Sequence, residues 1–543
     1  MNRSLIKNIG FTVVVIVITV ILTGFRYDFF EIAKQIEIYN TLFKEINMGY
    51  VDKTDPAKLM EDGVKHMLSE LDPYTIYSSE QDVEGAKIYR SGVYVGIGAK
   101  MRIIDKKLFV EEPFKGFSAD DAGLKAGDEI IEINGMALSE SFQQAEILLN
   151  GKKNSSVRIT FKRGEKENEV ELIRNEQKPK AVPLYQMLED EIGYIALDRF
   201  SRGAAQEVEF ALKFLLIDEV KGLILDLRNN PGGLLQEAVE IVNLFVPKNQ
   251  LIVSTQSNIE QYNTQFITQK QPISEDVPLV ILINERSASA SEIVAGALQD
   301  LDRAVVVGNR SFGKGLVQQP KPLPYGAQIK ITISRYFIPS GRCIQALNYG
   351  ERSESGKAQR RQKEDYKAFK TKNGRTVFDG GGIKPDISTN TVDRFDIISN
   401  LKKENLFFNF VTDYCATNSI GDLESFELDP SVFKAFRTFC FAEGFSLNTN
   451  TEKHLKKALD YSEEEDLNNL SASLESVRKS LETEKKLVFN QSEERIMWQL
   501  SEEIIKCNFY KEGVYQYSLL KNNAIQKAKS VLKDSQGYYS LLK

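Results

Sequence analysis

The feature that most constrains this chain is a set of short, unbroken apolar runs alternating with helical periodicity. Tyr194-Ile195-Ala196-Leu197, Gly222-Leu223-Ile224-Leu225-Asp226-Leu227 and Leu279-Val280-Ile281-Leu282-Ile283 are too short for helices and lack an alternating polar face. Each therefore reads as a strand buried on both sides. Between and after them, residues 204–216, 234–245 and 291–301 read as helices. Buried strands alternating with helices predict a layered α/β core.

On either side of this core the pattern changes. Residues 30–85 carry apolar side chains at helical spacing (Ile32, Ile36, Leu42 and Ile46, then Leu59, Val64, Met67 and Leu71), and Pro73 closes the second helix. Residues 86–177 switch to short strands punctuated by glycine. They include Tyr94-Val95-Gly96-Ile97-Gly98, Leu108-Phe109-Val110 and a long string from Ala122 to Gly135. A helix is expected from Ser139 with Ala145, Ile147 and Leu148 facing inward, then a hairpin about Gly164. Residues 391–543 read as helical and of mixed charge, without a catalytic constellation; the run Glu463-Glu464-Glu465-Asp466 reads as a solvated face. The predicted organisation is thus 1–29, 30–85, 86–177, 178–390 and 391–543.

Charge and rare residues exclude several functions. With 70 Lys+Arg against 76 Asp+Glu the net charge is −6, so no basic excess exists to displace counterions from nucleic acid. The only histidines are His66 and His454, which excludes a histidine-rich metal site and argues for chemistry without imidazole. Cys343, Cys415, Cys440 and Cys507 form no C-x-x-C pair. Neither a metal nor a cofactor is expected, and cysteine pairing is undetermined.

Arg3 and Lys7 precede an uncharged run, Ile9 to Phe25, at the lower limit of a membrane-spanning helix. No small-x-small cleavage site follows it. The reading is a retained anchor with the N-terminus in the cytoplasm, a cleaved signal peptide being the alternative. Either predicts translocation, and the first predicts an inner-membrane protein with one N-terminal span and a periplasmic catalytic portion.

Two stretches carry candidate chemistry: Ser287-Ala288-Ser289-Ala290-Ser291-Glu292-Ile293, between a buried strand and a helix, and Gly308-Asn309-Arg310-Ser311-Phe312-Gly313-Lys314-Gly315. The second nearly spells a P-loop, but Gly315 replaces the required hydroxyl and an extended, proline-stopped segment follows where a helix is needed. A serine at a strand-to-helix turn exposes its hydroxyl beside free backbone N–H groups. Without histidine its base must be another group, and lysine can serve. Keeping Lys314 neutral near pH 7 costs about 4.6 kcal/mol, within the reach of burial. Val305, Val307, Leu316 and Val317 are the expected apolar walls, and Gln318 lies four residues on, able to orient the amine.

Together these strings resemble the carboxy-terminal processing (tail-specific) peptidases. S-A-S-A-S-E-I-V-A-G-A-L-Q-D and G-N-R-S-F-G-K-G-L-V-Q are joined by L-D-P-Y-T at 71–75, D-L-R-N-N-P-G-G at 226–233, Y-F-I-P-S-G-R-C-I-Q at 336–345 and G-G-G-I-K-P-D at 380–386. The likeness spans about residues 35–390. The string A-G-L-K-A-G-D-E-I-I-E-I-N-G resembles a PDZ domain, inserted where the family has one. The resemblance implies a ββα-superhelix-like serine peptidase core, with Ser289 as nucleophile, Lys314 as base 25 residues later and Gln318 as its partner. It implies an oxyanion hole from Ala290 and one of Gly232 and Gly233. The PDZ loop Val95, Gly96, Ile97 and Gly98 would bind the carboxylate of an apolar substrate tail. The expected partners are such protein substrates, the membrane through the N-terminal segment, and a second copy of the chain or an adaptor. Tyr74 and Cys343 depart from the family's usual histidine and serine. Since that histidine lies outside the dyad, Tyr74 is expected to matter little. The rival reading is a PDZ scaffold without catalysis.

Overall fold

The computed structural model describes residues 29–79, 94–138, 145, 148–352, 358–389, 397–447 and 449–543. Its centre is a six-stranded sheet in the order Leu184–Met187, Ile192–Ala196, Gly222–Asp226, Leu279–Ile283, Val305–Gly308, Ile387–Ser388. The first pair is antiparallel and the remaining pairs are parallel. Because strand side chains alternate, one strand feeds two cores. Leu223, Leu225, Leu279, Ile281, Ile283 and Val306 pack with the helices Ala204–Ile217, Leu235–Asn243 and Ala290–Asp300. Ile224, Val280, Leu282, Val305 and Val307 point the other way, onto Leu519, Ile525, Ala528, Leu532 and Tyr538.

That second cover comes from the end of the chain, the helices Asn523–Lys533 and Ser535–Leu541. Tyr538 secures it: its hydroxyl accepts from Leu279 N at 2.9 Å and lies within bonding distance of the Leu279 and Arg303 carbonyls. Val305 and Val307, expected as walls for Lys314, are thus turned away from the lysine loop. A second, antiparallel sheet runs in the order Ile76–Ser78, Gln328–Phe337, Leu251–Gln256, Thr264–Ile267, with Leu316–Pro322 also pairing with Gln328–Phe337. It brings the 71–75 turn and the lysine segment onto one long strand.

Residues 99–173 form the inserted β unit, ordered Ala99–Ile104, Lys107–Pro113, Glu129–Ile133, Ser156–Arg163, Lys166–Ile173. Its core holds Ile97, Val110, Ile133, Ala145, Val157, Ile159 and Leu172. The hairpin expected about Gly164 is present. Of the helix expected from Ser139, residues 139–144 and 146–147 lie outside the described residues.

The β unit rests on the C-terminal helices. Phe109 meets Phe408 edge-on, Arg102 lies over the Phe408 ring, and Lys506 pairs with Glu112 at 3.3 Å. Gly127 (φ +93°) sits against Thr412, where an added Cβ would be only 1.9 Å from a side-chain carbon. The same long helix, Glu493–Lys521, reaches the core through the pair Lys511–Asp198.

The expectation of an inner-membrane protein is corrected. No helix among the described residues is long and apolar enough to cross a membrane, and the run 9–25 that carried the expectation lies outside them.

Candidate active site

The helix Ala290–Asp300 is buried along its whole length, so the turn before it is held firmly. Of the three serines in that turn, Ser287 donates to Leu227 O at 2.8 Å and Ser291 to Asn230 O at 2.9 Å; both are fully buried. Ser289 is the partly exposed one. Its backbone has φ 55° and ψ −113°, a region that L-residues avoid and that persists only where the surroundings enforce it. A serine lifted out of a strand-to-helix turn in this way is the geometry of a nucleophile elbow.

Two features enforce the turn. Gly232 (φ +96°) packs so closely that an added Cβ would lie 2.6 Å from Ala288 O and 2.9 Å from both Ala290 N and Ser289 Cβ. Glu292, fully buried, supplies the other. Its Oε2 accepts from the N–H of Ser289 (2.8 Å) and of Lys314 (2.9 Å), and its Oε1 accepts from Gly313 N (2.7 Å) and the Ser311 hydroxyl. Burial pushes the Glu292 carboxyl up to about 7, and the hydrogen bonds from Ser311, Lys314, Gly313 and Ser289 oppose that rise. With four donors aimed at its oxygens, the carboxylate is the form this site accommodates. One side chain thus ties the serine turn to the lysine loop. The S-x-x-E spacing of a capping box was its sequence signal.

Tyr336, also buried, makes a second tie: its hydroxyl donates to Lys314 O at 2.5 Å and lies 3.3 Å from Ser289 O. Nothing in the sequence marked it for this role.

The amide donors near Ser289 differ. Gly232 N–H donates to Asn230 Oδ1 at 2.9 Å. The N–H groups of Ala290 and Gly233 have no acceptor among the described residues, and Gly233 is exposed.

Lys314 is half-buried. Burial lowers its amine to about 8; Lys330 pushes in the same direction, while Asp72 and Glu292 favour the charged form. Its nitrogen lies 4.4 Å from the centre of the Tyr74 ring and is not hydrogen-bonded to Ser289. Gln318, the expected partner, donates instead to Thr332 Oγ1 at 3.3 Å. A register shift between Val317 and Gln318 breaks the strand alternation that would align Gln318 with Lys314.

In the β unit, Gly96, Ile97 and Gly98 are buried and Val95 half-buried. The Ile97 side chain enters the core. The carbonyls of Ile97 and Gly98 accept from Ala119 N (2.8 Å) and Phe114 N (2.7 Å). The following strand, Ala99–Ile104, is a sheet edge.

Comparison with known proteins meets this geometry from outside. Residues 191–349 match peptidase family S41, 95–173 a PDZ domain, and 397–532 the C-terminal helical domain of a probable PDZ-protease. A carboxy-terminal-processing protease of Bartonella bacilliformis is 33% identical over 321 residues, covering 58% of this chain and 73% of that protein. The chain belongs to this family. A probable CtpA-like serine protease of Staphylococcus haemolyticus is 33% identical over 325 residues, 60% of this chain. The match spans 64% of the length of that relative, and 61% of a Staphylococcus aureus counterpart. Among solved structures, a photosystem II D1 C-terminal processing protease shares 24% identity over 64% of this chain and 86% of its own, with a TM-score of 0.36, too loose an overlap to argue from. The α/β architecture with an inserted PDZ domain is therefore that of a carboxy-terminal processing protease.

Proposed function

We propose that this carboxy-terminal processing protease is a serine endopeptidase in which Ser289 is the nucleophile and Lys314 the base. The observation that carries the reading is the strained Ser289 backbone, locked by one buried carboxylate to the loop of a lysine whose proton affinity is already lowered. The neutral Lys314 amine takes the Ser289 hydroxyl proton as Oγ attacks the substrate carbonyl carbon. The N–H groups of Ala290 and Gly233 receive the oxyanion. Collapse breaks the peptide bond, Lys314 returns the proton to the leaving amine, and water hydrolyses the acyl-enzyme. Gln318 meets the amine only after a change of rotamer.

The PDZ domain selects the substrate. An apolar C-terminal tail adds as a strand to the edge Ala99–Ile104, its carboxylate received by the N–H groups of Ile97 and Gly98. The test is degradation of an unstructured protein with an apolar C-terminus by wild type, Ser289→Ala and Lys314→Ala. Both variants should lose hydrolysis while keeping tail binding; equal cleavage by all three sinks the dyad. Because the amine must be neutral to act, kcat/KM should rise with pH and reach half its plateau near pH 8. A profile already flat from pH 6 would exclude Lys314 as the base.

A further inference from the structure

The family resemblance leaves Tyr74 without a role, and the structure gives it one. Among the described residues the Lys314 amine has no hydrogen bond or ion pair; what faces it is the Tyr74 ring, with the nitrogen 4.4 Å from the centroid. That is well inside the reach of a cation–π contact.

The ring is also fixed in place. Asp72 accepts from the N–H of Tyr74 (2.8 Å) and Thr75 (2.9 Å) and from the Thr75 hydroxyl (2.8 Å), which shapes the turn after Pro73. Thr75 is buried and accepts from Thr332 N at 3.1 Å, the residue whose hydroxyl also accepts from Gln318. At the far end of the ring, Tyr74 and Tyr349 are joined through their hydroxyls. Tyr349 accepts from Gln345 Nε2 at 3.1 Å, and Gln345 Oε1 accepts from Gly315 N at 2.7 Å. The contacts close a circuit from the amine through the ring and back to the residue after Lys314.

We propose that Tyr74 is a positioning residue for Lys314, whose ring face holds the protonated amine away from Ser289 and sets the pH at which it is released as a base. This rests on the peptidase reading above. The charged groups facing the pair are Asp72 and Glu292, which favour the ammonium, and Lys330, which opposes it; Arg360 acts on Tyr74. The ring adds to the first set, because a π face attracts the ammonium and not the neutral amine. Removing the ring while keeping an apolar side chain should therefore lower the amine's titration midpoint.

Competitive acetylation of Lys314 by acetic anhydride, followed by mass spectrometry across pH in the full chain, reads that midpoint without needing activity. In a Ser289→Ala background, Tyr74→Phe should stay within about 0.3 units of the parent, while Tyr74→Leu and Tyr74→Met should fall by about 0.4 to 1.5 units. With Ser289 restored, the rise of kcat/KM should shift to lower pH in step, so hydrolysis at pH 7 increases several-fold relative to its own plateau. An unmoved or raised midpoint in both ringless variants overturns the proposal, as does an equal shift in Tyr74→Phe. If acetylation shifts as expected but no Ser289-dependent hydrolysis exists, the peptidase reading falls and the ring contact stands. Dyad-dependent hydrolysis with an unmoved midpoint removes the role of Tyr74 alone.

Discussion

Ser289 and Lys314 share one carboxylate through their backbones, yet their side chains are held by different means. On the serine side the backbone itself is forced, wedged between Gly232 and a buried helix, and the flanking hydroxyls of Ser287 and Ser291 are spent on carbonyls. On the lysine side the loop is fixed by Glu292 and Tyr336, but the amine rests on an aromatic face and the Gln318 amide on Thr332. The difference teaches where the site can move. For the proposed dyad, both loops are held by backbone hydrogen bonds, so the parts inferred to move are the Lys314 side chain and the Gln318 amide.

Glu292 ties the two sides with more bonds than Tyr336 does, through four donors, so changing it should break the comparison outright. In Glu292→Gln the amide nitrogen faces two of the four donors, leaving buried N–H or O–H groups unpaired at a cost of about 3 kcal/mol. Differential scanning calorimetry should show a fall of about 6–12 °C in Tm, with hydrolysis reduced at least 100-fold. Unchanged Tm and activity would mean that the two loops hold their places independently.

Gly232→Ala should break the serine side alone. Its Cβ would press on Ala288 O and Ser289 Cβ from a positive-φ position, costing about 2–4 kcal/mol in strain and displaced contacts. Gly164→Ala, also at positive φ (+59°) but with nothing within 4 Å, is the control and should cost about 1 kcal/mol. Hydrolysis should drop in the first and persist in the second, while acetylation of Lys314 is unaffected by either. Equal losses would show that backbone strain, and not the contact with the Ser289 turn, decides the outcome.

The serine side was also the more legible in the sequence. Strand, turn and helix are local, and unbroken apolar runs announced them; the role of Glu292 was missed, although its S-x-x-E spacing from Ser289 carried a local signal. The lysine side depends on residues brought from far along the chain. Tyr74, Thr332 and Tyr336 converge on the lysine segment because Gln328–Phe337 pairs with both Ile76–Ser78 and Leu316–Pro322, and no spacing in one sequence records such pairing. Gln318 was placed by strand alternation, which the register shift beside it disrupts. Val305 and Val307 were read as walls for the amine because a Val-rich strand does not say which of its faces a distant helix covers. Period two was legible; the identity of the partner on each face was not.

The smallest effect is expected from Tyr336→Phe, and it separates the two kinds of restraint. The change deletes a hydroxyl that donates to Lys314 O and reaches Ser289 O, leaving the ring in its buried place. Losing one buried donor costs about 1–2 kcal/mol, or roughly 2–8 °C in Tm, and should slow hydrolysis by about tenfold through looser alignment of the two loops. It touches backbone and not the amine, so the midpoint near pH 8 should stay where it is. Tyr74→Leu should do the converse, moving the midpoint with little change in Tm. If Tyr336→Phe shifted the pH profile as well, the lysine backbone and its amine could not be treated as separately held, and the side-chain rotation inferred for dyad assembly would have to include movement of the loop.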